Sequence, residues 1–128
     1  IAEIRFPVPE AADRFHFEKV GRRERLDIAG VSSAIKIRAS GGIIDEAHVS
    51  AGSVAPVPLY LRETSEFLHG QPVSSATALA ASAIAGREIS PISDVRGSDE
   101  YRRALLPRLI LAHFLARFPD EIREEDFG

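Results

Sequence analysis

The chain contains no cysteine. That absence excludes a disulfide scaffold, a thiolate zinc site, an iron–sulfur cluster held by this chain and a cysteine nucleophile. It is compatible with a reducing compartment. Methionine is also absent, and the chain opens Ile1-Ala2-Glu3-Ile4-Arg5-Phe6-Pro7, which reads as an edge strand already in progress. A piece of a longer protein is therefore expected, with part of the working site outside it. There is no basic excess: 16 Lys and Arg stand against 19 Asp and Glu, a formal charge of −3. A dedicated nucleic-acid binder needs a basic footprint, so no nucleic-acid partner is expected. No apolar run approaches the ~20 residues of a membrane span. The longest candidate, Leu105 to Phe118, is interrupted by Pro107, Arg108, His113 and Arg117. Glu3, Arg5 and Pro7 likewise break up any secretory signal at the start. No internal repeat or low-complexity segment is present.

What remains is the composition of one globular domain: 128 residues, 45% hydrophobic and 27% charged. At this length roughly two thirds of the unfolded surface can be buried, so a core needs no metal or disulfide staple. The first half alternates with period two. Ile4 and Phe6 alternate with Glu3 and Arg5 until Pro7 and Pro9, and Glu10 to Asp13 follows as a linker. Phe15 and Phe17 alternate with His16 and Glu18 in a second strand running towards Val20. Ile35, Ile37 and Ala39 oppose Lys36 and Arg38, the pattern of a half-buried antiparallel strand. Ser40-Gly41-Gly42 supplies a hairpin turn, and the chain returns through Ala47, Val49 and Ala51. Gly52 and Ser53 allow a bulge or a close backbone approach. Leu59 to Arg62 is a brief further strand.

The second half has helical period. Thr64 to Leu68 makes a turn or two, stopped by Gly70. Ser74 or Ser75 caps a helix running to about Ala85, with Gly86 just past its end. Ser98 caps the last helix, with Asp99 and Glu100 in its first turn. Tyr101, Leu105, Ala112, Leu115 and Phe118 share one face of it, while Leu106, Leu109 and Ile110 share another with Arg102, His113 and Arg117. A helix this apolar on two sides is expected to lie between two layers, with a kink or a delayed start at Pro107. Strands first and helices afterwards predict an α+β fold: an antiparallel sheet of three to four strands covered by about three helices.

No catalytic pattern emerges. His16, His48, His69 and His113 fall on four different elements without an i, i+4 pair, so no metal site is expected. His48, on an outward strand face, reads as a surface side chain. Asp45 and Glu46 are adjacent on a strand and point to opposite faces, so they cannot share a substrate. Gly41-Gly42 joins two strands and lacks the following helix of a phosphate loop. The cluster Arg22-Arg23-Glu24-Arg25 reads as a solvated face, with contact to an acidic or phosphate-bearing partner as its functional alternative. Arg102-Arg103 reads the same way. Asp94 and Arg96 are placed to pair with each other or with backbone and to fix the start of the last helix.

Several stretches, in order, carry a resemblance: Glu3-Ile4-Arg5-Phe6-Pro7, Phe17-Glu18-Lys19-Val20-Gly21-Arg22-Arg23, Asp27-Ile28-Ala29-Gly30-Val31, Ala51-Gly52-Ser53-Val54-Ala55-Pro56-Val57-Pro58, Phe67-Leu68-His69-Gly70, and Ser93-Asp94-Val95-Arg96-Gly97-Ser98 followed by Tyr101-Arg102-Arg103. Together they resemble the C-terminal domain of the FAD-containing medium subunit of molybdenum hydroxylases, the xanthine dehydrogenase and carbon monoxide dehydrogenase family. Ser53, where a second glycine is common, and Pro107 are departures. The resemblance implies residues 1–13 as an incoming strand and linker from an upstream FAD-binding domain, 14–118 as the domain itself and 119–128 as an acidic tail. It implies a cytoplasmic oxidoreductase in which a molybdopterin centre oxidises substrate and electrons pass through [2Fe-2S] clusters to FAD, then to NAD or another acceptor. Partners would be the upstream domain, an iron–sulfur subunit and a molybdenum-binding subunit. Two residues are implied at the flavin: Ile1, on the incoming strand, and Lys19 by its spacing from Pro7. Counting back from Arg22-Arg23 places Glu18 there instead; a cation suits anionic reduced flavin or phosphate, which favours Lys19. The fragment alone is expected to have no catalytic residue. The alternative is an assembly domain that never touches flavin.

Overall fold

The computed structural model describes residues 1–21 and 27–128. The strongest alternation in the sequence builds the centre of a sheet. In β2 (Val31–Ser40) the side chains of Val31, Ser33, Ile35 and Ile37 are buried while those between them are not. It pairs antiparallel with β3 (Ile43–Gly52). Gly41 and Gly42 join the two with φ of 56° and 78°, the double left-handed geometry that a two-residue hairpin requires and glycine supplies without strain. The register shifts where Arg38 faces Glu46 and Ala39 faces Ile44. This bulge at Asp45 resets the alternation, so Ile44 and Ala47 both reach the core although three positions separate them. The bulge lies at this end of the strand, and at the other end Gly52 meets Ser32 Oγ, which would stand 2.6 Å from an added Cβ.

β1 (Arg14–Val20) adds to β2, and β4 (Leu59–Tyr60) adds to β3, giving an antiparallel order β1-β2-β3-β4. In the edge strand β1, Phe15 and Phe17 face solvent, and His16 and Val20 turn towards the helices. Residues 1–10 pair with no strand of this sheet. The alternation of Ile4 and Phe6 is therefore not expressed as a strand here, because a strand needs a neighbour to satisfy its backbone groups. Ile4, Phe6 and Val8 are exposed. The segment is tethered at Asp13, whose carboxylate accepts from the Glu10 backbone N–H at 2.9 Å and from Arg38 Nη2 at 2.7 Å.

Three helices lie on one side of the sheet, the first and third against the strands and the second packed on those two. α1 (Arg62–Leu68) takes up Arg62, which the strand pattern had extended to, and Gly70 follows its end at φ 77°. α2 (Ser75–Glu88) is capped by Ser74, whose Oγ accepts from Thr77 N. Gly86 lies inside α2 rather than beyond it: the Pro107 ring would sit 3.3 Å from a Cβ there, so the glycine lets α2 and α3 approach closely. α3 (Asp99–Arg117) is capped by Ser98 as expected. It runs through Pro107 without a delayed start. Its buried face is Arg102, Leu106, Leu109, Ile110, His113 and Phe114, with α2 on one side and β1 and β2 on the other. Only one of the two apolar sides is fully buried: on the other, Tyr101 is exposed and Leu105, Ala112 and Leu115 are half-buried.

After α3 the last residues fold back. Ile122 is fully buried and a 3-10 turn, Glu124–Phe127, rests on α2. The core is continuous, from Ile35, Ile37 and Val49 on the sheet to Leu68, Ala81, Ile110 and Phe114 on the helices. The architecture is α+β, as the order of elements predicts. Among the described residues no helix is long and apolar enough to cross a membrane.

Candidate functional site

A cleft of about 740 Å³ opens where the end of β1 meets the start of α3. Its size falls within the range of small-molecule and cofactor sites. One wall is Val20, Gly21, Asp27, Ile28 and Gly30; the other is the turn from Val95 to Ser98, with Tyr101. The first wall is closed at its base by Gly30 N–H donating to Val20 O at 2.8 Å. The second is a tight turn in which Asp94 and Gly97 exchange backbone hydrogen bonds of 3.0 and 3.2 Å. The Asp94 carboxylate also accepts from Arg96 N at 2.8 Å, and this backbone bond foremost holds its pKa below the usual carboxylate value. Asp94 and Arg96 do pair, at 3.4 Å, as their spacing suggests.

Tyr101 stands between the walls. A Cβ on Gly97 would meet its ring at 3.1 Å and one on Gly30 at 3.7 Å, so both glycines make room for the ring. Val95, Ile28 and Tyr101 are 86%, 63% and 46% exposed, which leaves apolar surface uncovered beside backbone polar groups. A flat conjugated ring system with a hydrogen-bonding edge fits such a lining: apolar side chains for its faces, peptide groups for its rim.

Below the cleft a buried guanidinium joins its parts. Arg102 is 5% exposed and donates from Nη2 to Asp94 Oδ1 at 2.6 Å and from Nη1 to Ser53 O at 2.8 Å. Ser53 holds φ at 66°, a left-handed value that costs a non-glycine residue roughly 1 kcal/mol. Its Oγ donates to Ala29 O at 3.3 Å, on the first wall. Serine holds this conformation with its carbonyl bonded to Arg102 and its hydroxyl to Ala29 O. Among the described residues Arg102 Nε has no hydrogen-bond partner.

Lys19 lies near the end of β1, and its Nζ donates to Asp27 O at 3.1 Å; Asp27 lines the cleft, Lys19 itself does not. Ile1 is fully exposed and does not line the cleft. Glu18, the alternative to Lys19, faces His16 instead, with Oε1 3.2 Å from Nε2. The cluster Arg22-Arg23-Glu24-Arg25 lies outside the described residues. Tyr101, Val95 and Ile28 were not singled out as site residues by sequence reasoning, because an apolar surface side chain carries no signal until the neighbouring wall is known.

The histidines divide. His48 is a surface side chain, hydrogen-bonded to Tyr60 Oη and Glu46 Oε1, each at 2.8 Å. His69 Nδ1 donates to Asp45 O at 2.7 Å. His16 and His113 come together across β1 and α3, a pairing that no sequence spacing announces. Among the described residues no group of three or more His, Cys, Asp or Glu is arranged to hold a metal ion.

The family model described as the CO dehydrogenase flavoprotein C-terminal domain matches residues 15–117. The chain belongs to this family. It is 32% identical over 102 residues to the carbon monoxide dehydrogenase medium chain of Afipia carboxidovorans, covering 80% of this chain and 35% of that protein. Among solved structures, a chain of the reconstituted CO dehydrogenase from Oligotropha carboxidovorans aligns with a TM-score of 0.77 at 28% identity, covering 91% of this chain and 40% of that one. A chain of quinoline 2-oxidoreductase from Pseudomonas putida 86 aligns with the same TM-score at 25% identity and the same coverage. The CO dehydrogenase flavoprotein C-terminal domain therefore spans about a third of its curated relative. The fold is shared by oxidoreductases named for different substrates.

Proposed function

We propose that this domain forms one flank of an FAD site in the flavin-carrying subunit of a molybdenum hydroxylase of the xanthine dehydrogenase and carbon monoxide dehydrogenase type. The observation that carries the reading is the cleft between Gly30 and Gly97, with uncovered Ile28, Val95 and Tyr101 and a lysine amine bonded to Asp27 of its lining. Bound there, flavin would supply the relay between one-electron donors and a two-electron acceptor. The chain's own residues do simpler work. Tyr101, Ile28 and Val95 exclude water from one side of the ring. Peptide groups of the two walls orient its polar rim. Lys19 places a positive charge within reach of an anionic ring or phosphate, and Asp27 O holds its amine in place.

In the whole enzyme, upstream domains hold most of the cofactor, and Ile1 leads from them along the apolar segment Ile4, Phe6 and Val8, which they would cover. Iron–sulfur and molybdopterin subunits are the electron-supplying partners, NAD or another acceptor takes the electrons, and the enzyme is cytoplasmic. The quinoline and CO enzymes share this fold, which agrees with substrate choice being made elsewhere.

The test is Lys19→Ala in the complete subunit, read by flavin content and by the flavin reduction potential. Lower occupancy or a lower potential is expected. If both stay at wild-type values, Lys19 has no part in the site; if Tyr101→Ala and Val95→Glu also leave both unchanged, the domain serves assembly alone.

A further inference from the structure

The cleft is bounded by loops rather than by ladders, and loops hold a fixed separation only where something ties them. We propose that Arg102, acting with Asp94, is the positioning residue that sets the two walls of the cleft relative to each other. This deepens the flavin reading and rests on it.

Arg102 rises from the first turn of α3, one residue after Tyr101. One arm of its guanidinium holds the Asp94 carboxylate at 2.6 Å, and Asp94 in turn receives the Arg96 N–H, so the Val95–Gly97 wall is fixed to the helix. The other arm holds the Ser53 carbonyl at 2.8 Å. Ser53 reaches Ala29 O, one residue before Gly30, so the opposite wall is fixed to the same group. Two segments, at Asp94 and at Ser53, thus meet on one planar cation, and the Ser53 hydroxyl carries the tie on to Ala29; the forked donors define direction as well as distance.

Two features argue that this arrangement serves geometry rather than stability. The Arg102 guanidinium is buried while the Asp94 carboxylate keeps 31% of its side-chain surface in solvent, so the cost of desolvating the cation offsets much of an attraction that water still screens. Here Arg102 Nε also has no partner among the described residues, and the arrangement includes a left-handed serine. A hydrophobic side chain would fill the space without either feature, but it could not bind Ser53 O and Asp94 at once. Backbone strain of this sort persists where the surroundings over-determine it, and such places gather at binding sites. The bonds lie beneath the ring of Tyr101, so a shift of either wall changes the opening that faces the ligand.

Arg102→Lys and Asp94→Ala in the complete subunit test this, with Ile122→Ala as a destabilised control away from the cleft. Hydrogen exchange at the Gly30 and Gly97 amides of the flavin-free subunit reads wall position without reference to flavin. FAD titration reads the consequence. Both cleft variants are expected to exchange at these amides at least tenfold faster and to bind FAD at least tenfold more weakly. Ile122→Ala should leave FAD affinity within twofold at a comparable loss of Tm. Unchanged exchange overturns the proposal, as does faster exchange with wild-type FAD affinity, or a control that weakens FAD as much as the cleft variants. Wild-type affinity in Tyr101→Ala as well would instead remove the flavin reading of the cleft.

Discussion

His16 and His113 meet edge to face across the contact of β1 with α3, their Nδ1 atoms 2.8 Å apart and their rings at 88°. The surrounding bonds assign the protons. Ser33 Oγ donates to Ser50 O, so it accepts from His113 Nε2 at 3.0 Å. The Nδ1 of His113 is then the acceptor and His16 Nδ1 the donor, while His16 Nε2 faces the Glu18 carboxylate. His113 is therefore a neutral imidazole inside the core, and its pKa is lowered to about 4, by burial first and then by the charges of His16 and Arg117.

Stability should accordingly depend on pH through His113. The unfolded chain takes up this proton near 6.5 and the folded chain only near 4, so the contribution is complete above 6.5 and is lost as pH falls from 6.5 to 4. The expected loss is about 3 kcal/mol. Urea unfolding at pH 7 and pH 4.5 checks it, with His113→Gln as reference. The variant should lose markedly less between the two pH values; an identical loss in both proteins would assign the dependence to other groups.

α1 begins without a side-chain cap of its own, since Leu61 stands at its N-cap. Glu88, at the end of α2, supplies one from a distance: its carboxylate accepts from Glu63 N and Thr64 N, each at 2.8 Å, and from Thr64 Oγ1. Charge-assisted bonds to the free N–H groups of a helix start stabilise it. Glu88→Ala is expected to cost about 1–2 kcal/mol by analogy with ordinary cap removal. Denaturation of the variant measures this, and Glu88→Gln should recover part of the loss.

Gly86 and Pro107 set the distance between α2 and α3. Alanine would improve helix propensity but presses on the ring, whereas Gly86→Val inserts volume that the proline cannot yield. That variant should destabilise by about 1–3 kcal/mol, as overpacked cores do. A Tm equal to wild type would show that the two helices separate freely.

The parts of the fold written in local chemistry were legible in the sequence. The alternation of Ile35 and Ile37, the paired glycines of the hairpin and the caps Ser74 and Ser98 each act within a few residues, and each stands where its pattern placed it. Gly86 was misplaced beyond α2 because glycine marks a helix end and a close helix contact with the same letter. Phe15 and Phe17 face outward because β1 is an edge strand whose inner positions go to His16 and Val20. Ile4 and Phe6 alternate as a strand would, but the pattern does not supply a partner. The resemblance led to the family; Lys19 contacts Asp27, which lines the cleft, without lining the cleft itself. The cleft itself was hidden, since Asp94, Arg102, Ser53 and Ala29 converge through contacts spanning up to 49 positions, and no spacing rule encodes them.

The most direct measurement is FAD titration of the complete subunit carrying Val95→Glu. Val95 is exposed, so the substitution should leave Tm essentially unchanged. It places a negative charge on the wall where a flavin ring would lie. At least a tenfold loss of FAD affinity at wild-type Tm is expected if this domain flanks the cofactor; wild-type affinity would contradict it.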